Sequence, residues 1–332
     1  IADYLGTEHH ELYLTEQDAL NAVGELGRVF DEPFADTSAI PTLLLSKFTR
    51  EHVKVSLSAD AGDESFAGYG RYRRALRYRQ RYKKIPRLLR AALSTGIQAF
   101  PWAPLSSRTG GYDRWQRTMR FSETLSASSS LEVLEAISRQ YQPRAASRLL
   151  APAYRESVKS AGAPFSLSEY LGPAESLSEL NRMLAADYNS FLMNDVLVKV
   201  DRTTMAHSLE GRDPLMDHRV FEYALGLPDE YKLGTLGGKH ILKDIVHRHV
   251  PRELVERPKQ GFTPPMGAWL RGELRPLLES ATDRAWLEKQ GIFDPEVVSR
   301  MGDAFLAGKM KNNRQMWIIV AFQMWYENWM DR

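Results

Sequence analysis

Asp60, Asp63 and Glu64 fall within five positions of one another, directly after the apolar run Val53-Lys54-Val55-Ser56-Leu57. A β-branched run of this length reads as a buried strand. Ligands of open α/β sheets bind at the carboxyl ends of strands, so these acids stand where chemistry is usually done. Ser58, Ala59, Ala61 and Gly62 are small enough to let a ligand approach the backbone. Like charges this close repel one another unless a cation or donors compensate. The group can therefore hold a divalent metal, a metal–phosphate complex or an amine. A strand-to-helix turn capped by Asp60 explains one of the three carboxylates, not the set.

Four further clusters carry titratable groups. Asp195 and Lys199 stand one helical turn apart. Val196, Leu197, Val198 and Val200 make that segment largely buried, and buried charges need partners or a function. An exposed ion pair of little worth is the competing reading. Between Ser208 and Arg219, the acids Glu210, Asp213 and Asp217 alternate with Arg212, His218 and Arg219. This reads as an ion network at a turn, with Asp217 capping a helix from His218 to Leu225. Glu256 to Pro265 is a loop stiffened by two prolines, with Lys259 at its turn. Such a lysine is either solvated or a fixed cation for phosphate charge. Finally, ten bases and no acid occur from Arg71 to Arg90, interleaved with Tyr72, Tyr78 and Tyr82. The run suggests nucleic acid. A net charge of only +2 favours a solvated helix whose arginines pair with acids elsewhere.

The elements that must position these groups fall into two parts. Glu11 to Leu14 reads as a short strand, Asp18 to Phe30 as a helix, and Ser38 as the cap of a helix from Ile40 to Glu51, followed by the Val53–Ser58 strand. That order suggests a parallel α/β unit. Two strands are too few for a sheet covered on both faces, so the remaining strands are expected elsewhere, upstream. Beyond Gly70 the chain reads as helical. Helices are expected from Tyr72 to Leu93 with a break at Pro86, from Leu131 to Gln142 with a stop at Pro143, from Leu177 to Thr204, and from Lys239 to His249. A last helix buries Trp317, Val320 and Met324, and Phe100 to Gly111 reads as a loop. The expected fold class is α/β, mostly helical, with a truncated nucleotide-binding unit over 1–70 and a helical region over 71–332.

Composition narrows the function classes. The 332 residues leave room for two domains. No apolar run approaches the roughly 20 residues of a membrane span, and the opening residues do not read as a secretory signal. Cysteine is absent, which excludes disulfides, thiolate metal sites and a cysteine nucleophile; a cytoplasmic location is expected. The chain opens on Ile1, with Gly6 ending a helix, as a piece cut from a larger protein would.

Taken together, the clusters resemble the synthetase domain of glutamine-dependent asparagine synthetases. The family pattern S-G-D/E-G-x-D-E then F-G-G-Y stands here as Ser58-Ala59-Asp60-Ala61-Gly62-Asp63-Glu64 and Phe66-Ala67-Gly68-Tyr69. D-E-P-x-x-D/S-x-S-x-x-P is matched from Asp31 to Pro41, L-V-K-V-D-R-x-x-M from Leu197 to Met205, S-L-E-x-R-x-P-x-x-D from Ser208 to Asp217, and R-P-K-x-G-F from Arg257 to Phe262.

The resemblance implies a partial adenine nucleotide alpha hydrolase-like (Rossmann-like) sheet, with ATP and Mg²⁺ as cofactors. It implies adenylation of aspartate, then displacement of AMP by ammonia drawn from glutamine. It assigns Ser58, Ala59 and Gly62 to nucleotide contacts, Asp60 to the acyl-adenylate and ammonia, Asp63 to the metal and pyrophosphate, and Lys259 to phosphate charge. Glu64, Tyr69, Asp195 and Lys199 would line the cleft. Partners implied are the small-molecule substrates, an amino-terminal glutaminase domain and a second copy as a homodimer.

Three features depart from the family. Ala59, Ala61 and Ala67 stand where it usually has glycine, and Asp213 where it usually has an apolar residue. The pyrophosphate loop S-G-G-x-D-S is nowhere in the chain. By itself the chain is expected to be inactive. Two other readings stand beside this one: an amidotransferase-like ligase acting on another carboxylate, and a non-catalytic basic nucleic-acid-binding module.

Overall fold

Val55–Leu57 forms strand β1, and its parallel neighbour is β2, Glu210–Arg212, with Val55 opposite Glu210, Ser56 opposite Gly211 and Leu57 opposite Arg212. The computed structural model describes residues 1–100, 111–160, 166–172, 176–235, 237–256 and 264–331. The helices used below are α1 (Ala39–His52), α2 (Gly62–Ser65), α3 (Gly70–Tyr82), α4 (Arg87–Ala99), α5 (Gly111–Ser126), α6 (Glu179–Asp187), α7 (Leu197–Met205), α8 (His218–Gly226), α9 (His240–Val246) and α10 (Asn313–Trp329). A small antiparallel hairpin pairs β3 (Leu233–Gly234) with β4 (Gly237–Gly238). The fold is α/β and mostly helical. No helix among the described residues is long and apolar enough to cross a membrane.

Four sequence expectations are corrected. Glu210–Arg212, which sequence places in a turn, is a strand and pairs with β1. Its charged ends hide the strand, because the Glu-Gly-Arg tripeptide has none of the apolar alternation that marks one. Nor is β1 buried: Val55 is 42% and Leu57 73% exposed, because a sheet of two strands leaves its flanks open. Glu11–Leu14 is not a strand but exposed irregular chain, since no described strand lies beside it to pair with. Pro143 does not stop a helix. The preceding helix ends at Ser138, and Pro143 opens Pro143–Leu149, where its fixed φ suits the first turn.

Two compact units emerge from the chain's contacts. The first takes Ile1–Val23, Ser38–Leu76 and Leu167–Pro264. Its helical run Glu179–Met205 matches the expected single helix, but Tyr188–Val196 widens into a π-helix between α6 and α7. Ile40 and Leu43 of α1 are buried, and α1 packs along α7. Ser38 precedes α1 as expected, yet its side chain makes no cap bond; its Oγ instead accepts from Lys199 Nζ at 2.9 Å. The second unit takes Gly24–Thr37, Arg77–Ser166 and Pro265–Arg332. There Trp115, Met119 and Ala145 form a cluster, and α10 buries Met316, Trp317, Ile319 and Val320.

Lys232 shows how the first unit treats a buried charge. Its side chain is fully buried, and Nζ donates to Asn181 Oδ1 at 2.6 Å, Ala224 O at 2.7 Å and Leu227 O at 2.8 Å. Three donors meet three acceptors, two of them carbonyls at the end of α8, of which Ala224 O also accepts from Leu227 N at 3.3 Å. Lys232→Met keeps most of the volume and takes the ammonium bonds away from all three acceptors, leaving Ala224 O only its bond from Leu227 N. A loss of about 2–4 kcal/mol in unfolding free energy is expected by urea titration; a change under half a kilocalorie would show the bonds to be dispensable.

Candidate functional site

The end of β1 runs straight into the acid group. The ladder continues one residue past the strand, with Ser58 N donating to Arg212 O at 3.0 Å. This places Asp213, the residue after β2, beside Ser58. Ser58 Oγ lies within hydrogen-bond distance of both carboxylates, Asp60 and Asp213, the latter at 2.5 Å. One hydroxyl proton cannot satisfy both acceptors. Burial, with the Asp60 carboxylate beside it, pushes the Asp213 carboxyl above the usual aspartate range.

Past Asp60 the chain makes two tight bends. Ala61 (φ 67°) precedes α2 and Ala67 (φ 56°) follows it, both in the left-handed region that favours glycine. Ala59 is not among the residues with positive φ. The Ala61 methyl is fully buried and seats on Leu192 and Val196 of the π-helical segment, a contact that offsets part of its backbone strain.

Asp63 projects from α2 and pairs with Lys239, Nζ to Oδ1 3.1 Å. Lys239 is itself left-handed (φ 59°), and its N–H donates to Phe66 O at 2.7 Å. Two glycines permit this closeness. A Cβ on Gly238 would stand 1.8 Å from Ala67 O, and one on Gly68 1.7 Å from Asp63 Oδ1. The Gly237-Gly238-Lys239 strap and the Phe66–Gly68 bend are therefore built against each other.

Glu64 points the other way. It is 1% exposed, and Tyr69 Oη donates to its Oε1 at 2.7 Å. Burial raises the Glu64 carboxyl. Burial and the Glu64 charge raise Tyr69 far enough that it remains a donor. Arg71 stacks over Tyr69 (4.5 Å) and Phe191 (4.2 Å) and pairs with Asp187 at 2.8 Å, 5% exposed. This layer holds the acid bend from behind.

The sequence-derived site residues thus separate. Ser58, Ala59, Asp60, Gly62 and Asp63 share one bend; Glu64 and Tyr69 form its inner support. Lys199 is half-buried and bonded to Ser38; Asp195 is half-buried on the π-helical segment, next to Val196, which packs on Ala61. Lys259 lies outside the described residues. In place of the ion network expected at Ser208–Arg219 stand local contacts, Arg212–Glu210, Arg219–Asp217 and His218–Asp217. Asp217 caps α8 as expected, accepting from Arg219 N at 2.9 Å.

Lys239 was not singled out by sequence reasoning; its one signal is a pair of glycines immediately before a lysine at a helix start. Chemically, the bend offers carboxylates to a cation and an ammonium to an anion. Among the described residues no group of three or more His, Cys, Asp or Glu stands ready to cage a metal. Mg²⁺ is commonly held by one or two carboxylates, with substrate phosphates and water supplying the rest, and the donor set around Asp63 fits that mode.

The asparagine synthase family model matches residues 1–327. The chain is 28% identical over 332 residues to the asparagine synthetase (glutamine-hydrolysing) 1 of Bacillus subtilis, covering 97% of this chain and 48% of that protein. It is 29% identical over 330 residues to a putative asparagine synthetase of Mycobacterium tuberculosis, covering 98% of this chain and 47% of that protein. A segment of 94 residues is 38% identical to human asparagine synthetase, covering 27% of this chain and 16% of that protein. The chain spans about half the length of the bacterial relatives it matches.

The left-handed alanines give a signed prediction. Ala67→Gly relieves about 1–2 kcal/mol of backbone strain, partly offset by a lost buried methyl and added chain entropy. A net stabilisation of up to about 1 kcal/mol is expected. Ala59→Gly, with no strain to relieve, lowers stability by about 0.5–1 kcal/mol. Equal effects of the two in thermal or urea unfolding would refute this account of the bend.

Proposed function

Because the chain belongs to the asparagine synthase family, we propose that it forms the synthetase part of an ATP-dependent amide ligase, with aspartate as the acid. The acid's carboxylate oxygen attacks the α-phosphorus of ATP and pyrophosphate leaves. Ammonia then attacks the acyl carbon, AMP leaves, and the nitrogen loses a proton to give the amide. The supporting observation is the end of β1, where Asp63 and Lys239 are held as a pair beside Asp60 on a bend built for close approach.

In this reading Ser58, Ala59 and Gly62 line the nucleotide. Asp60 faces the acyl-adenylate and attracts the ammonia-derived cation. Asp63 with Mg²⁺ accepts the pyrophosphate, the metal supplying charge neutralisation when bound. Lys239 adds a second positive charge, and Lys259 a third. Glu64 and Tyr69 act from behind by holding the bend. Asp195 and Lys199 line the wall less directly. The pyrophosphate loop, the remaining strands beside the open flank of β1 and a glutaminase domain supplying ammonia would belong to the rest of a longer protein.

One observation favours a different acceptor acid in the same chemistry. Asp213 adds a carboxylate beside Asp60, where the family pattern is usually apolar, and an acidic substrate would be repelled by it unless it is protonated.

The test uses the full-length product of the gene that encodes these residues, incubated with ATP, ammonia and aspartate or other carboxylic acids. AMP, pyrophosphate and amide are expected in equal amounts. Asp63→Asn is expected to lower the rate by about a hundredfold or more, and residues 1–332 alone should form no amide. Release of ADP and phosphate, or no turnover with any acid, would overturn the reading. Amidation of another acid but not of aspartate would identify the second reading.

A further inference from the structure

The basic run Arg71–Arg90 takes no part in the site beyond Arg71. Arg71 pairs with Asp187, Arg73 donates to Gly234 O, and Arg90 is buried. Arg81, Lys84 and Arg87 are exposed and form no ion pair among the described residues. Lys83 is exposed beside them. No Asp or Glu occurs between Glu64 and Asp113, so the local charge is of one sign.

Helix α4, which follows these bases, is turned inside out. Its buried residues are polar: Arg90 and Ser94. Arg90 donates to Leu125 O at 2.9 Å and Ala127 O at 2.8 Å, and Ser94 Oγ donates to Ser122 O at 2.9 Å. These bonds fasten the inner face to carbonyls at the end of α5. Its outer face carries Leu88, 86% exposed, Leu89, 51%, and Leu93, 48%, with Ala92 and Gly96 between them. At 3.6 residues per turn these five positions span an arc of about 140°. Rotating the leucines inward would break the Arg90 bonds and leave a guanidinium buried without acceptors. The exposure is therefore held in place by specific bonds.

We propose that this face of α4, with Arg81, Lys83, Lys84 and Arg87 at its head, docks on the surface of a bilayer bearing anionic phospholipid. Leucines on one face, with exposed bases gathered at the amino-terminal end of the helix, suit an interfacial segment, the leucines entering the headgroup–acyl boundary and the bases meeting phosphates. The exposed bases favour an anionic partner over a basic one. A single-stranded nucleic acid would use the bases but not the leucines, which have no π-face to stack on. Of the three tyrosines of the run, Tyr72 is buried, and Tyr78 and Tyr82 are half-buried and turned on each other, at 5.9 Å, with Tyr82 also against Phe121 at 6.5 Å. The inference is independent of the catalytic reading.

The experiment is sedimentation of the whole chain with vesicles of phosphatidylcholine alone and of equal parts phosphatidylcholine and phosphatidylglycerol. Binding to the mixed vesicles, weakened by salt and absent with phosphatidylcholine alone, is expected. Leu88→Glu and Arg87→Glu, both at exposed positions, should each weaken it about tenfold or more while leaving the far-ultraviolet circular dichroism unchanged. Should either fail to fold, Leu88→Ser and Lys84→Glu serve the same purpose. No binding to mixed vesicles, equal binding to both vesicles, or binding that the variants leave intact would overturn the proposal. Tighter binding to single-stranded RNA, unaffected by Leu88→Glu, would overturn it in favour of a nucleic-acid surface.

Discussion

The pairing of β1 with β2 is the constraint on which the rest of the site depends. Three residues on each side form the ladder, and Ser58 N to Arg212 O carries it one step further. This sets the height at which both chains leave the sheet. Because both strands run the same way, their carboxyl ends emerge together, and the Ser58 hydroxyl, already beside Asp60, also reaches Asp213 across 155 positions of sequence. A shift of one residue in that register would turn every side chain of β2 to the opposite face and separate them.

Around this junction, backbone strain and charge are concentrated in the same few residues. Among the described residues, three of the four non-glycine residues with positive φ are Ala61, Ala67 and Lys239. Each costs on the order of 1 kcal/mol and persists only where the surroundings hold it. Here the Ala61 methyl packs on Leu192 and Val196, and the Lys239 amide bonds to Phe66 O. The charges follow the same logic. Asp63 meets Lys239, Glu64 meets Tyr69, and Arg71 meets Asp187 between aromatic rings. A bend carrying this many carboxylates is stable because each has a donor or cation assigned to it.

The two faces of the basic run illustrate how composition can mislead. Ten bases without an acid read alike in sequence, yet Arg71 is a site support, Arg90 is a buried fastener and Arg81, Lys84 and Arg87 are exposed. Their roles differ because of what lies opposite them: a carboxylate, a pair of helix-end carbonyls or solvent.

From local pattern alone, the sequence determined the β1 strand, the acid group that ends it, the Asp217 cap, the helices α1, α7 and α10, and membership of a family through ordered motifs. These are properties of neighbours along the chain: periodicity, capping and the repulsion of adjacent carboxylates. Tertiary structure alone decided the partner of β1, since Glu210–Arg212 becomes a strand only by having β1 beside it. It also decided that Lys239 reaches Asp63, that Glu64 faces inward, and that the leucines of α4 face out. Each of these depends on a residue distant in sequence, whose position no local propensity encodes.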